Sequence, residues 1–240
     1  MPDRRRHRGP HPEDFRLFAP EAVPRLRAAA ADLAWLLSRG YAQDSSLKLV
    51  GDRYSLVARQ RTAVARCTCS DADAARRSAK EVPAAAVADE AVWIDGYNVL
   101  TTVEAALAGG VVLAARDGAY RDMASMHGSF RKVAETLPSL LILGRVVAQL
   151  QPRRSVWYLD RPVSNSGRLR ALMEEVAQQH GWSWQIELVA DPDRVLACAA
   201  PDCILATADS ALLDCCHRWI NLARLAVEQS VPNAWIVDCS

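Results

Sequence analysis

Four short apolar runs in this chain each end at an aspartate. They span residues 92–95, 156–160, 204–209 and 235–238. Runs this short, rich in β-branched or aromatic residues, are typical of buried strands in a parallel sheet. The carboxyl ends of such strands meet at one edge, where α/β proteins bind ligands. Carboxylates gathered there repel one another unless a cation lies among them, so the pattern predicts a site for a hard metal ion.

Charge is unevenly distributed along the chain, although the formal net charge is only +1. Residues 1–70 carry 13 basic and 7 acidic residues, whereas residues 90–240 carry 13 basic and 17 acidic residues. This asymmetry favours a front that binds nucleic acid and a back that binds cations. An ordinary arginine-rich surface is the alternative.

Composition divides the 240 residues into four predicted segments. Residues 1–14 are basic and lack an apolar face, which predicts a disordered tail. Residues 15–70 carry apolar residues at helical spacing and predict a small helical module that leans on a larger domain. Residues 71–89 predict a linker or an exposed helix, and residues 90–240 predict an α/β domain.

Strand and helix patterns alternate from residue 91 onward, which predicts a three-layer α/β/α sandwich around a parallel sheet. The predicted strands are 92–95, 155–160, 182–189, 203–208 and 234–238. The predicted helices lie near 102–107, 129–136, 139–150, 168–180, 194–199, 210–217 and 220–229. Two glycine-containing pairs, Gly109-Gly110 and Asp117-Gly118, bracket a loop or a small hairpin.

The motif Asp95-Gly96-Tyr97-Asn98 stands where the first predicted strand ends. Gly96 permits the tight turn that leaves Asp95 at the edge of the sheet. Asn98 is then placed to cap the next helix, to orient a water or to contact substrate. The alternative is a plain β-turn with a capping asparagine.

Residues 94–100 resemble the opening of the NYN branch of the PIN-like nucleases. Asp193 and residues 205–213 resemble the second half of that pattern, in which an acid precedes a short helix and a strand ends in Thr-x-Asp. The resemblance covers residues 90–240 through a few short motifs. It implies a PIN-like (Rossmannoid) sheet and a metal-dependent ribonuclease acting on RNA, in single-stranded form.

The resemblance also implies the catalytic residues. Asp95, Asp193 and Asp209 match the family's metal-binding acids, and Asp160 matches an acid that some NYN members carry after their second strand. The implied cofactor is Mg²⁺ or Mn²⁺, which would activate a water and stabilise charge on the phosphodiester. The whole chain, helical module plus PIN-like domain, also resembles an uncharacterised prokaryotic two-part family.

One acid of the PIN-like pattern, a glutamate on the helix of the first crossover, has no clean counterpart here. The residues that compete for its role are Glu104, Asp117, Asp122 and Glu135, and Asp117 and Asp122 are favoured as further metal ligands. Asp214 is an additional candidate ligand on a later helix.

Two polar segments are candidates for substrate contacts. Ser164 and Asn165 follow Asp160 and precede a predicted helix, whose first N–H groups suit a phosphate. A simple helix cap is the alternative. Tyr120 and Arg121 lie among acids and arginines and predict a substrate rim, with Tyr120 stacking on a base. A surface salt-bridge loop is the alternative.

The cysteines and histidines predict no metal site. The motifs at residues 67–69 and 215–217 lack the spacing of zinc knuckles and are interpreted as buried thiols. His127 is interpreted as a surface or core residue, and Asp238 as structural. Seven cysteines without a framework predict a reducing cytoplasm. The sequence has no apolar run long enough for a membrane helix and no pattern of a secretory signal.

Three functions are compatible with these patterns. The leading hypothesis is a cytoplasmic, Mg²⁺- or Mn²⁺-dependent ribonuclease whose helical module guides RNA, or holds a partner protein or a second copy of the chain. The second is a catalytically silent RNA-binding or scaffold protein. The third is a phosphatase-like hydrolase with Asp95 or Asp160 as nucleophile, although both sites lack the Asp-x-Asp-x-Thr/Val pattern of one such class.

Overall fold

The computed structural model describes residues 7–124 and 130–240. The helices are α1 Asp14–Leu17, α2 Val23–Leu37, α3 Gln43–Arg53, α4 Ala58–Cys67, α5 Asp71–Lys80, α6 Gly96–Leu107, α7 Thr136–Leu150, α8 Ser166–His180, α9 Pro192–Ala197, α10 Ser210–Cys215 and α11 Leu222–Ser230. The strands are β1 Ala91–Asp95, β2 Val111–Ala114, β3 Tyr120–Asp122, β4 Arg154–Asp160, β5 Trp184–Val189, β6 Cys203–Ala206, β7 Trp219–Ile220 and β8 Trp235–Asp238.

A parallel five-stranded sheet forms the centre of the α/β part, in the order β5-β4-β1-β6-β7. Side chains alternate between its two faces because a strand has a period of two. Ile94 and Trp157 pack with α6, α7, α8 and α11 on one face. Val156 and Leu205 pack with α9 and α10 on the other. Helices on both faces confirm the predicted three-layer α/β/α architecture.

A second, three-stranded sheet has the order β3-β2-β8, and this corrects the interpretation of the fourth apolar run. β8 pairs in parallel with β2 instead of joining the main sheet. The reason is packing, because Val237 of β8 belongs to a core cluster shared with the helical module. The antiparallel pairing of β2 with β3 forms the small hairpin that the glycine pairs predicted.

The helical module of α2, α3 and α4 shares its core with the second sheet. Leu26, Leu33 and Val64 cluster with Val111 and Leu113 of β2. A module of this size buries too little surface to be stable alone, so it leans on the α/β part as predicted.

Two segments are more ordered than their composition suggested. Residues 71–80, predicted as a linker or exposed helix, form α5, and Arg77 at its centre is 4 % exposed. Residues 7–14, predicted within a disordered tail, cross the α/β part, where Arg8 forms an ion pair with the fully buried Glu104. In both segments an arginine forms ion pairs with carboxylates that are distant in sequence, and these contacts hold the segment against the rest of the protein.

Several predicted boundaries differ from the structure. Residue 129 of the helix predicted at 129–136 lies outside the described residues, and residues 130–135 are not helical, because α7 begins at Thr136. The Thr136 hydroxyl accepts a hydrogen bond from the Val133 amide at 3.0 Å, which holds the segment before α7 against its first residue. Trp219 and Ile220 form β7 before α11 begins. Within the described part of the chain, no helix is both long and apolar enough to cross a bilayer.

Candidate active site

Asp95 lies at the carboxyl end of β1, beside the end of β6. The register pairs Ile94 with Ala206, so Asp95 and Thr207 are neighbours. One Asp95 carboxylate oxygen accepts a hydrogen bond from the Thr207 hydroxyl at 2.9 Å, and the other accepts one from the Asn98 amide at 3.4 Å. The chain runs outward from β1 to β4 and β5 and then crosses to β6, so Asp95 stands at a topological switch point, where open α/β sheets bind ligands.

The loop after β6 is fixed against this turn. The Asn98 side-chain oxygen accepts a hydrogen bond from the Ala208 amide at 2.9 Å, and the Thr207 hydroxyl accepts one from the Asp209 amide at 3.1 Å. Asp209 then caps α10 by accepting from the Ala211 and Leu212 amides. The sequence predicted that Asn98 caps a helix, orients a water or contacts substrate, and Thr207 was only part of the Thr-x-Asp motif. In the structure both side chains join the two strand ends.

Two further aspartates complete the acidic edge. Asp160 is half-buried at the end of β4, and its Oδ1 is a buried atom without a hydrogen-bond partner among the described residues. Asp193 is exposed in the first turn of α9, which packs against β1 and β4. The four predicted catalytic aspartates therefore come from four separate segments and meet at this edge.

Mutual repulsion is visible in the pKa values. Burial, together with the negative charges of Asp193 and Asp209, raises the pKa of Asp95 to about 7 despite the opposing hydrogen bond from Thr207. Burial and the charges of Asp209, Asp191 and Asp160 raise the pKa of Asp193. Burial and the charge of Asp191 raise the pKa of Asp160. These carboxylates are close enough to oppose each other's ionisation.

The acids proposed for the missing glutamate are not part of this edge, and most are neutralised by basic residues. Glu104 pairs with Arg8, and Glu135 with His7. Asp117 is buried between Arg77 and Arg121, and Asp214 is bound by Arg76 and Arg77.

Burial opposes ionisation of Asp117, but the two guanidinium groups outweigh it and lower the pKa of its carboxyl. Asp122 accepts hydrogen bonds from the Thr101 and Thr102 hydroxyls and forms a longer ion pair with Arg66, at 4.0 Å. In the structure Asp117 is therefore an ion-pair residue, and Asp122 is a helix-facing acid beside a cleft.

A cleft of about 660 Å³ opens between the helical module and the acidic edge. Asp122, Asp209 and Asn98 line its α/β side, and Arg61 and Arg66 of α4 line the module side. The sequence showed these two arginines on the polar face of a helix. Only the packing of the module shows that this face borders the acids.

The predicted substrate residues divide into three groups. Arg121 lines the cleft. Tyr120 does not stack on a base as predicted, because it is 8 % exposed and its hydroxyl donates to Glu228. Ser164 and Asn165 are exposed and lie near a different pocket, described below.

Three of the four cysteines in the two motifs are buried thiols, as predicted. Cys67, Cys69 and Cys216 are buried, and Cys215 is exposed. Burial raises the pKa of the Cys69 thiol to about 11, which opposes the thiolate form that zinc requires. His127 lies outside the described residues.

The acidic edge suits a divalent cation by the chemistry of its donors. In residues 7–124 and 130–240, no three His, Cys, Asp or Glu side chains are placed to hold a metal ion together. The donors nearby are carboxylate oxygens, which Mg²⁺ and Mn²⁺ prefer, and Asp160 Oδ1 has no described partner. Asp95, Asp193 and Asp209 supply such oxygens, although the structure does not arrange the three around one point.

Gly96 is required by the close approach of α6 to β4. A Cβ atom at this position would lie 2.6 Å from Leu159 Cδ2 and 2.9 Å from the Tyr158 carbonyl oxygen. We expect Gly96→Ala to destabilise the protein by about 1–3 kcal/mol, the usual cost of overpacking. Gly167→Ala is the matched control, because no atom lies within 4 Å of its Cβ position. Equal melting temperatures of the two variants would contradict the prediction.

The comparisons with known proteins give a family. Residues 84–225 match the family described as "Domain of unknown function (DUF5616)", which is more than half of the chain. The chain belongs to the DUF5616 family. Residues 25–80 match a second family, "Protein of unknown function (DUF434)".

An uncharacterised protein of Methanocaldococcus jannaschii is 27 % identical over 188 residues, which cover 78 % of this chain and 88 % of that protein. No solved structure gives a significant match.

The two matched segments correspond to the two walls of the cleft. The DUF5616 segment contains Asp95, Asp160, Asp193 and Asp209, and the DUF434 segment contains α3 and α4. β8 lies beyond both. The cleft is thus formed where one family segment packs on the other.

Proposed function

We propose that this protein is a Mg²⁺- or Mn²⁺-dependent ribonuclease of PIN-like (NYN) type. One observation carries the proposal. Asp95, Asp160, Asp193 and Asp209 meet at a topological switch point, and none of them forms an ion pair with a described residue, whereas Asp117 and Asp214 are neutralised by arginines. An acidic group left without a counter-ion at a ligand-binding edge is what a cation site requires.

The roles of the chain's residues follow from their positions. Asp95, Asp193 and Asp209 would ligate the ion, and Thr207 and Asn98 orient the two strand ends that carry Asp95 and Asp209. A bound divalent ion would supply an acidified water and charge stabilisation at the phosphorus. Asp160, whose Oδ1 has no hydrogen-bond partner within residues 7–124 and 130–240, would take a proton or a water.

The cleft supports nucleic acid as the substrate. Arg61 and Arg66 line it on the side of the helical module and Arg121 lines it on the α/β side, and guanidinium groups are preferred ligands of phosphate. A strand held by these arginines would pass its backbone over Asp209. The resemblance to PIN-like nucleases implies single-stranded RNA as the substrate. The flexible backbone of a single strand can follow a positively charged groove.

The test offers a single-stranded RNA to the full-length protein with Mn²⁺ and then with chelator. We expect cleavage only with Mn²⁺, and its loss in Asp209→Asn and Asp193→Asn. Mn²⁺ should also raise the melting temperature of the wild-type protein, more at pH 8 than at pH 6, because ions compete with the proton on Asp95. Cleavage that persists in chelator would overturn the proposal, and release of phosphate from small esters with intact RNA would favour a phosphatase-like hydrolase.

A catalytically silent RNA-binding protein is the second candidate, and one observation favours it. Oxygens of Asp95 and Asp209 are already engaged as helix caps, and no three ligands are assembled among the described residues. For this alternative we expect RNA binding without cleavage, unchanged by Asp209→Asn and unaffected by Mn²⁺.

A further inference from the structure

A second pocket opens beside the N-terminus of α8, with a volume of about 400 Å³. Three cationic side chains line it, Arg131, Lys132 and Arg168, together with Asn165. Phe130 and Leu172 supply an apolar wall. Cations around a partly apolar concavity are suited to an anion attached to an organic group.

The three cations lack acidic partners in the described part of the chain. None of them forms an ion pair there, and the buried Nη1 atom of Arg131 has no hydrogen-bond partner. Arg170, on the same helix, is instead paired with Glu174 at 2.7 Å. A buried guanidinium nitrogen without an acceptor is costly, and an anion in the pocket would supply that acceptor.

The first turn of α8 adds to the positive potential of the pocket. Asn165, at the N-cap, does not cap the helix with its side chain but donates it to the Phe130 carbonyl at 3.0 Å. No atom lies within 4 Å of the Cβ position of Gly167, so the backbone there is accessible. The α8 helix has 15 residues, long enough for its dipole to favour an anion at this end.

The pocket and the cleft share a wall. The Phe130 ring lies 5.5 Å from the Tyr97 ring, and Tyr97 lines the cleft. The Phe130 amide also donates to the Ser164 carbonyl at 3.0 Å, which fixes the wall to the loop after Asp160. The Tyr97–Phe130 contact therefore makes the pocket a direct neighbour of the cleft.

We propose that this pocket binds the terminal phosphomonoester of the RNA strand that occupies the cleft, an inference that rests on the proposed ribonuclease function. A terminal phosphate carries nearly two negative charges at neutral pH, whereas an internal phosphodiester carries one. Three cations without described acidic partners match the higher charge. The adjoining nucleoside would lie against Phe130 and Leu172.

The test measures binding, not cleavage, and uses the full-length Asp95→Asn protein in chelator. Short single-stranded RNAs with a 5′-phosphate, a 3′-phosphate or only hydroxyl ends are compared by fluorescence anisotropy. We expect one phosphorylated end to bind about 10-fold more tightly than hydroxyl ends, through charge-assisted hydrogen bonds. The preferred arm identifies which end enters the pocket.

Lys132→Gln and Arg168→Gln, two exposed positions, are combined with Asp95→Asn, and this variant should lose the preference for the phosphorylated end. Arg131→Gln, combined with Asp95→Asn in the same way, should reduce the preference. Arg170→Gln is the matched control and should keep it. Equal binding of the three RNAs, or an equal loss of affinity for all three in the double variant, would overturn the proposal. If the wild-type protein does not cleave RNA but the preference for a phosphorylated end is observed, the proposed nuclease function is overturned and the proposed phosphate pocket stands.

Discussion

Asparagine in place of Asp95 is expected to remove Mn²⁺-dependent RNA cleavage and, at the same time, to stabilise the metal-free protein at pH 8. Loss of a ligand that stabilises developing charge is worth several kcal/mol, so cleavage should fall by about 1000-fold. Stability should rise because the Asp95 carboxylate is unfavourable in its charged form. Burial, together with the negative charges of Asp193 and Asp209, raises its pKa to about 7.

The pH dependence of this gain follows from the raised pKa. The folded protein binds the Asp95 proton more tightly than the unfolded chain, so the contribution of Asp95 to wild-type stability is greatest below about pH 4 and falls as the pH rises towards 7. The advantage of asparagine should therefore grow from pH 4 and become constant above about pH 7.5. The full shift corresponds to roughly 4 kcal/mol. Partial solvent access and the altered hydrogen bond from Thr207 reduce it to about 1–2 kcal/mol, or about 3–6 °C in melting temperature.

Asp238→Asn is the matched control for Asp95→Asn. Asp238 also ends a strand, but burial there is outweighed by hydrogen bonds from Ser240 and by Arg27, which lower its pKa. This variant should keep RNA cleavage and should not gain stability at pH 8. A fall in the melting temperature of metal-free Asp95→Asn at pH 8 would contradict the assignment of Asp95 to a repulsive cluster.

The opposite result is expected for Asp117→Asn. Asp117 is 2 % exposed and accepts hydrogen bonds from Arg77 at 2.7 Å and from Arg121 at 2.7 and 2.9 Å. Removal of its charge takes away the carboxylate that pairs with Arg121 and leaves Arg77 paired with Asp214 alone. Breaking a buried pair in this way costs about 3 kcal/mol, which lowers the melting temperature by about 6–12 °C.

The sign of the pH effect is also reversed. The two arginines hold the pKa of Asp117 below its usual value, although burial opposes them. Its contribution to stability is thus present at neutral pH and is lost as the pH falls below about 4, through the pKa of the folded state. Thermal unfolding of wild type and Asp117→Asn at pH 7 and pH 3 measures this, and the difference in melting temperature should be smaller at pH 3 than at pH 7.

Asp71→Asn is the control for Asp117→Asn. Asp71 also pairs with an arginine, Arg116, but its side chain is 71 % exposed, and exposed pairs contribute little. We expect no measurable change in melting temperature. An equal loss in both variants would contradict the view that burial gives the Asp117 network its importance.

Most of the main sheet was predictable because its signal is local. Each strand is a short apolar run, and each run of the main sheet is followed by a polar turn, so Asp95, Asp160 and Asp209 had to follow strand ends. The crossovers of a parallel sheet then bring those ends to one edge. Asp193 entered the prediction through the family resemblance alone.

The wrong or incomplete predictions concern contacts between distant segments. β8 has the same local pattern as β1 and yet belongs to the other sheet, because Val237 packs on the helical module. Tyr120, which has charged neighbours in the sequence, was predicted to lie on a substrate rim. In the structure it is buried, and its hydroxyl donates a hydrogen bond to Glu228 of α11. Arg61 and Arg66 were visible as a polar helix face without any indication of what that face meets.

The order of apolar and acidic residues along the chain determined where strands end and which acids stand there, because run length and alternation are properties of neighbouring residues. Only the tertiary structure decided which of those acids are neutralised. Asp117 and Asp214 receive arginines from α5, about 40 and 137 positions away, whereas Asp95 faces other carboxylates. Charge compensation depends on distances in space, which the folded packing of the helical module, the hairpin and the sheet sets.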